Sequence, residues 1–171
     1  MLFANSNLSN NLSCMFSTFT SNNNLVSLAH RRLSIIDLSE KGHQPMISKS
    51  KRYIIAFNGE IYNFKSIKRK IDNVKNVIWN GNSDTEVLLR LYELDGISFL
   101  NKLNGMFSIA IYDDRVKELI LARDRIGVKP LFYFREGNRI IFASEIKSIL
   151  QSGNKKPPIS TKGISHFLSF G

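Results

Sequence analysis

Phe57-Asn58-Gly59-Glu60-Ile61-Tyr62-Asn63 holds the residue types that chemistry at a carbonyl group would use. An Asn side-chain amide and the backbone amide of a following Gly can aim two N–H donors at one point, because glycine lets the main chain come close and adopt unusual dihedrals. Two converging donors suit a developing oxyanion. Asn-Gly is equally a strong hairpin signal, so a tight turn is the competing reading. Two other positions bear charge that a ligand could meet. Arg31 and Arg32 are adjacent in an apolar stretch, and on a strand one of them faces a site while the other faces solvent. Asp84 opens a helix, where a carboxylate either stabilises the helix start or is held rigidly for a ligand ammonium.

Certain elements must position these groups. The alternating segment Tyr53-Ile54-Ile55-Ala56-Phe57 predicts a buried strand ending at Phe57, with Asn58 and Gly59 at its tip before a helix from about residue 63 to 72. Loops at such tips often carry function. Ser83-Asp84-Thr85-Glu86 is a capping box, with Ser83 as N-cap and Glu86 at the third helical position. The helix it starts is expected to bury Val87, Leu88, Leu91 and Leu94 and to stop at Gly96. From Leu103 the period changes, and residues 106–112, 118–123, 131–134 and 139–143 read as four strands in two hairpins. Residues 123–130 form a loop between them, read as local ion pairs and proline-fixed geometry. Helices are expected from Ser144 to Leu150 and from Ser160 to Phe170. Hairpins and helices without regular βαβ units give an α+β fold of layered, mainly antiparallel sheets.

Composition narrows the function classes. With 171 residues, 43% apolar and 11% aromatic, the chain is one domain's worth and can bury a substantial core. Its 24 Lys+Arg against 14 Asp+Glu give +10, which would suit nucleic acid. The basic clusters around residues 65–70 and 147–156 lack the interleaved aromatics of a single-strand binder, so solvated helix faces are the expectation and nucleic acid is not an expected partner. One cysteine, Cys14, excludes an intrachain disulfide and a Cys-based zinc site; no metal is expected, and a reducing cytoplasm fits. No apolar run approaches the roughly 20 residues of a membrane span, and the N-terminal stretch has no Lys or Arg of a signal peptide. Residues 1–29 carry seven Asn, six Ser and no charged side chain, a composition that favours turns and disorder, although Leu12 to Thr20 could form a strand.

A larger pattern emerges when the motifs are read in order. His30-Arg31-Arg32-Leu33-Ser34-Ile35-Ile36-Asp37, Gly42-His43-Gln44-Pro45, Phe57 to Asn63, Ser83-Asp84-Thr85-Glu86, Leu103-Asn104-Gly105-Met106-Phe107, Ala122-Arg123-Asp124 through Pro130-Leu131, and Phe142-Ala143-Ser144-Glu145 follow one another along the chain. Over roughly residues 28–171 this set resembles the class II glutamine amidotransferase domain of glutamine-hydrolysing asparagine synthetases. The resemblance implies an Ntn-hydrolase αββα sandwich that releases ammonia from L-glutamine for ATP-dependent asparagine biosynthesis. It gives Arg32 the α-carboxylate of glutamine, a planar task suited to guanidinium. Leu33, Ser34, Ile35 and Ile36 would wall the pocket, Asn58 and Gly59 would form the oxyanion hole, and Glu60 and Asp84 would meet the α-ammonium.

The same resemblance exposes departures. The family's nucleophile is an N-terminal Cys acting with its own α-amine, whereas Leu2 follows Met1 here and nothing in residues 1–29 resembles the family's Arg-Gly-Pro-Asp motif. Cys14, 18 positions before Arg32, reads as an incidental thiol. No pyrophosphate loop for ATP follows either. The expectation is therefore a fragment truncated at both ends, without the usual nucleophile strand and catalytically incomplete alone. Its domains would be 1–27, a poorly ordered Asn/Ser-rich segment; 28–152, the amidotransferase domain; and 153–171, a linker and lead into a synthetase domain. No cofactor is expected in it. ATP and magnesium are implied only for the synthetase domain, which with a homodimer partner completes the expected contacts. The alternatives are a glutamine-binding pseudoenzyme, a partner-binding module, or an amidotransferase domain serving another carboxylate.

Overall fold

A computed structural model describes residues 2–3, 16–22, 25–31, 42–74, 77–152 and 158–170. The chain runs β1 (Leu2–Phe3), β2 (Phe16–Thr20), β3 (Ser27–Arg31), β4 (Met46–Ile47), β5 (Tyr53–Ile61), α1 (Phe64–Val74) and α2 (Asp84–Asp95). A 3-10 helix, Gly96–Lys102, leads into β6 (Gly105–Asp113), β7 (Glu118–Arg123), β8 (Phe132–Glu136), β9 (Arg139–Ala143), α3 (Ile146–Ser152) and α4 (Thr161–Phe170).

The strands form two antiparallel sheets, ordered β2-β3-β1-β9-β8 and β4-β5-β6-β7. Period-two alternation along β5 and β6 assigns each residue to a layer. Ile55, Phe57, Ile109 and Ile111 turn to one face and pack with Ile67 and Ile71 of α1 and Val87, Leu88 and Leu91 of α2. Ile54, Ala56, Ala110 and Tyr112 turn to the other and meet Leu28 and Phe142 of the five-stranded sheet. Ile141 and Ala143 then face Ile149 of α3. The layers are therefore helix, sheet, sheet, helix, the α+β sandwich expected. Each fully buried Ile or Leu in these layers contributes about 1.5–3 kcal/mol.

Several expectations need correction. β5 does not stop at Phe57: it continues through Ile61 in unbroken register with β6, pairing Asn58 with Ser108 and Gly59 with Phe107. The Asn-Gly pair is thus neither a turn nor a loop tip, because a second long strand was available to pair it. Leu94 is 39% exposed, and Leu89 and Tyr92 bury instead, since the first and middle turns of α2 are those pressed on the sheet. α3 begins at Ile146, not Ser144. The N-terminal stretch contributes strands: Phe16–Thr20 pairs along β3 at the sheet edge, and Leu2–Phe3 pairs with β3 and β9 in the sheet interior. The rest of residues 1–15, Cys14 included, and the linker at 153–157 lie outside the described residues. α4 buries no side chain.

Candidate functional site

The site is built on the edge of β5 that, past β4, no strand among the described residues covers, and the hydrogen bonding of β6 shows which groups point to that edge. Phe107 donates its N–H to Asp124 Oδ2 at 3.2 Å and accepts the Asp124 N–H at 2.8 Å, so both its main-chain groups face away from β5. Gly59, directly opposite, is then a non-hydrogen-bonded partner, and its own N–H and C=O point away from β6 as well. The same holds two residues away on either side. There the acceptors are in place: Gln44 Oε1 takes the Phe57 N–H at 2.6 Å, and Asp84 Oδ2 takes the Ile61 N–H at 3.4 Å. The Gly59 N–H lies between them and is aimed along the same edge.

Glycine is required at this point. Gly59 has φ 155°, and a Cβ there would overlap the Met106 carbonyl oxygen and stand 2.8 Å from Phe107 Cα. Gly105 on β6 mirrors it: a Cβ would overlap the Glu60 carbonyl oxygen. The two glycines let the backbones approach closely where the site is made.

Asn58 and Glu60, by alternation, share the face of β5 that looks toward the five-stranded sheet; Asn58 is half-buried there and Glu60 is exposed at the end. Asp84 comes from the first residue of α2. Ser83 caps that helix, its hydroxyl accepting the Glu86 N–H at 3.2 Å, while the Glu86 carboxylate accepts from the Asn80 and Gly81 amides at 2.8 and 2.9 Å. Asp84 is only 6% exposed. Burial pushes its carboxyl above the ordinary 3.8, against the lowering effect of the Ile61, Thr85 and Asp84 amides, and Glu60 adds like charge. None of the ion pairs among the described residues includes it.

Two residues whose role the sequence reading missed hold this edge in place. Gln44 is buried and bridges the layers, accepting from Phe57 and donating from Nε2 to Thr85 Oγ1 at 3.2 Å. It thereby sets α2, and with it Asp84, against β5. The signal was a polar residue inside a Gly-His-Gln-Pro turn. Asp124 ties the other flank. Burial works against its charge, but the amides of Lys129, Val128, Phe107 and Gly127 outweigh that and hold it at about 2. Arg123 donates from Nε to the Lys129 carbonyl at 2.6 Å, so the pair shapes the 123–130 loop through hydrogen bonds to the main chain, and none of the ion pairs among the described residues is the local pair expected there.

The structure thus brings Asn58, Gly59, Glu60 and Asp84 together. Arg32, Leu33, Ser34, Ile35 and Ile36 lie outside the described residues, immediately after Arg31 at the end of β3. A cleft of about 630 Å³ lined by His43, Met46, Trp79, Glu86 and Arg90 contains none of the four site residues. Among the described residues no three His, Cys, Asp or Glu side chains gather as a metal site, and no helix is long and apolar enough to cross a membrane.

Comparison with known proteins shows the family. A family model described as a glutamine amidotransferase domain matches residues 16–171. A putative glutamine-hydrolyzing asparagine synthetase 2 of Methanocaldococcus jannaschii is 38% identical over 162 residues, covering 85% of this chain and 31% of that protein. The glutamine-hydrolyzing asparagine synthetase 2 of Bacillus subtilis is 46% identical over 124 residues, covering 72% of this chain and 16% of that one. Among solved structures, the glutamine phosphoribosylpyrophosphate amidotransferase of B. subtilis, complexed with ADP and GMP, matches with a TM-score of 0.63 and 25% identity over 74% of this chain and 29% of its own. The chain spans about a sixth to a third of the length of these proteins.

Proposed function

The chain belongs to the glutamine amidotransferase domain family, and from that premise we propose that this edge of β5 is an L-glutamine site of the asparagine synthetase type. The observation that carries the reading is the Gly59 N–H aimed between Gln44 and Asp84, beside a buried carboxylate that lacks a cation among the described ion pairs. Glutamine is a zwitterion with a side-chain carbonyl. Its ammonium meets Asp84 and Glu60, its carbonyl oxygen receives the Gly59 N–H and the Asn58 amide, and its carboxylate goes to Arg32. Exclusion of water from Asp84 strengthens the ammonium contact, because charges interact more strongly where water cannot screen them.

In a complete enzyme of this kind the two donors stabilise the oxyanion formed when a nucleophile attacks the glutamine amide, and ammonia leaves for amidation of a carboxylate. ATP and magnesium serve that second reaction, in a synthetase domain, and we place the system in the cytoplasm. Titration of the purified chain with L-glutamine is expected to raise its melting temperature, and Arg32→Ala to remove the rise. A chain that melts alike with and without glutamine would refute the site.

A further inference from the structure

Ser108 lies in the middle of β6, fully buried, and its hydroxyl has no hydrogen-bond partner among the described residues. A buried unpaired hydroxyl weakens a fold, and an alanine, as at Ala110 on the same face, would avoid that penalty. The register shows what the hydroxyl is near. Ser108 stands directly opposite Asn58 on β5 and opposite Arg123 on β7, so three polar side chains cross one face of the sheet in a row. Arg123 is already committed to the carbonyls of Lys129 and Gly127. Asn58 remains, with its Cβ about 4.5–5.5 Å from that of Ser108, as in any directly opposed pair. One rotation of the carboxamide closes such a gap.

We propose that Ser108 is a positioning residue for Asn58: in the liganded state its hydroxyl donates to Asn58 Oδ1 and so turns Asn58 Nδ2 toward the ligand's side-chain carbonyl. A carboxamide carries its acceptor and donor on opposite arms, so fixing one arm aims the other. The reverse pairing, with Ser108 accepting from Nδ2, would present Oδ1 to the carbonyl oxygen and repel it. The ligand carbonyl therefore selects the first arrangement. This inference rests on the glutamine site proposed above.

The test compares the full chain with its Ser108→Ala variant, measuring ligand-free melting temperature and calorimetric affinity for L-glutamine and for L-norleucine, which keeps the α-amino acid and lacks the carbonyl. The variant is expected to melt at or above the wild-type temperature. It should bind glutamine roughly 2- to 10-fold more weakly, the factor for one neutral hydrogen bond, with norleucine binding unchanged. Equal glutamine affinity in the two proteins would overturn the role of Ser108 and leave the glutamine site standing. Equal weakening of both ligands would also overturn it, since a general packing defect would then be the cause. A wild-type chain that binds no glutamine would overturn the site and this inference together.

Discussion

The two ends of the β5–β6 pair each hold a buried carboxylate, in opposite circumstances. At the start of β5, Arg52 reaches Asp113 with Nε at 3.0 and 3.1 Å and Nη2 at 2.7 Å, and the Arg115 and Val116 amides add two more donors. The bond from Arg52 holds the Asp113 carboxyl below 3.8, against the opposing effect of burial. At the far end, Asp84 is buried to a similar degree, and burial raises its carboxyl instead. One end is electrically complete and closes a hairpin. The other carries a desolvated charge and two glycines where backbones nearly touch. Such features lower stability, and their concentration toward one end of one strand pair is what supports the site proposed there.

Substitutions can break this contrast at either end. The largest effect is expected from Gly59→Ala, because a Cβ at φ 155° overlaps the backbone of the neighbouring strand; the loss is about 3 kcal/mol in chemical denaturation. An unchanged denaturation midpoint would mean that β5 and β6 do not approach as described. Arg52→Ala comes next, lowering the melting temperature by several degrees by leaving Asp113 buried without its guanidinium. It also carries a pH signature. A carboxyl held below its unfolded value of 3.8 contributes stability above that pH and loses it as pH falls further. Melting temperature against pH should therefore fall less steeply in the acid range for the variant than for the wild type, and parallel curves would deny the pair its role.

Much of the fold was legible because its periods are strong. The alternation of Tyr53 to Phe57, the apolar spacing of α1 and the Ser83 cap each depend on neighbours close in sequence, and the two hairpins after Leu103 announce themselves in the same way. The continuation of β5 through Asn58 and Gly59 was not legible. Asn and Gly argue locally for a turn, and only pairing with β6, more than 40 residues away, makes them strand. Leu94 failed for a related reason: helical spacing says which residues share a face, but the sheet's extent decides which turns are covered. Of the proposed site, Asn58 and Gly59 were singled out by residue type, Asp84 by its place at a helix start, and Glu60 only through the family resemblance. Gln44 and Ser108 were not, since a glutamine in a turn and a serine in an apolar strand acquire meaning only from the strand beside them.

The most direct measurement is calorimetric titration of L-glutamine into the wild-type chain and Asp84→Asn, alongside their ligand-free melting temperatures across pH. Because the folded chain holds the Asp84 proton more tightly than the unfolded chain, stability falls as pH rises past 3.8 and through the raised folded value, and Asp84→Asn removes that cost. The variant is therefore expected to melt at or above the wild-type temperature at neutral pH while losing glutamine binding. Wild-type affinity should itself weaken as pH is lowered toward the raised value of Asp84. A variant that binds glutamine as well as the wild type, or one that melts lower and so needs the carboxylate for its fold, would contradict the claim that this end of the strand pair is held open for a ligand's ammonium.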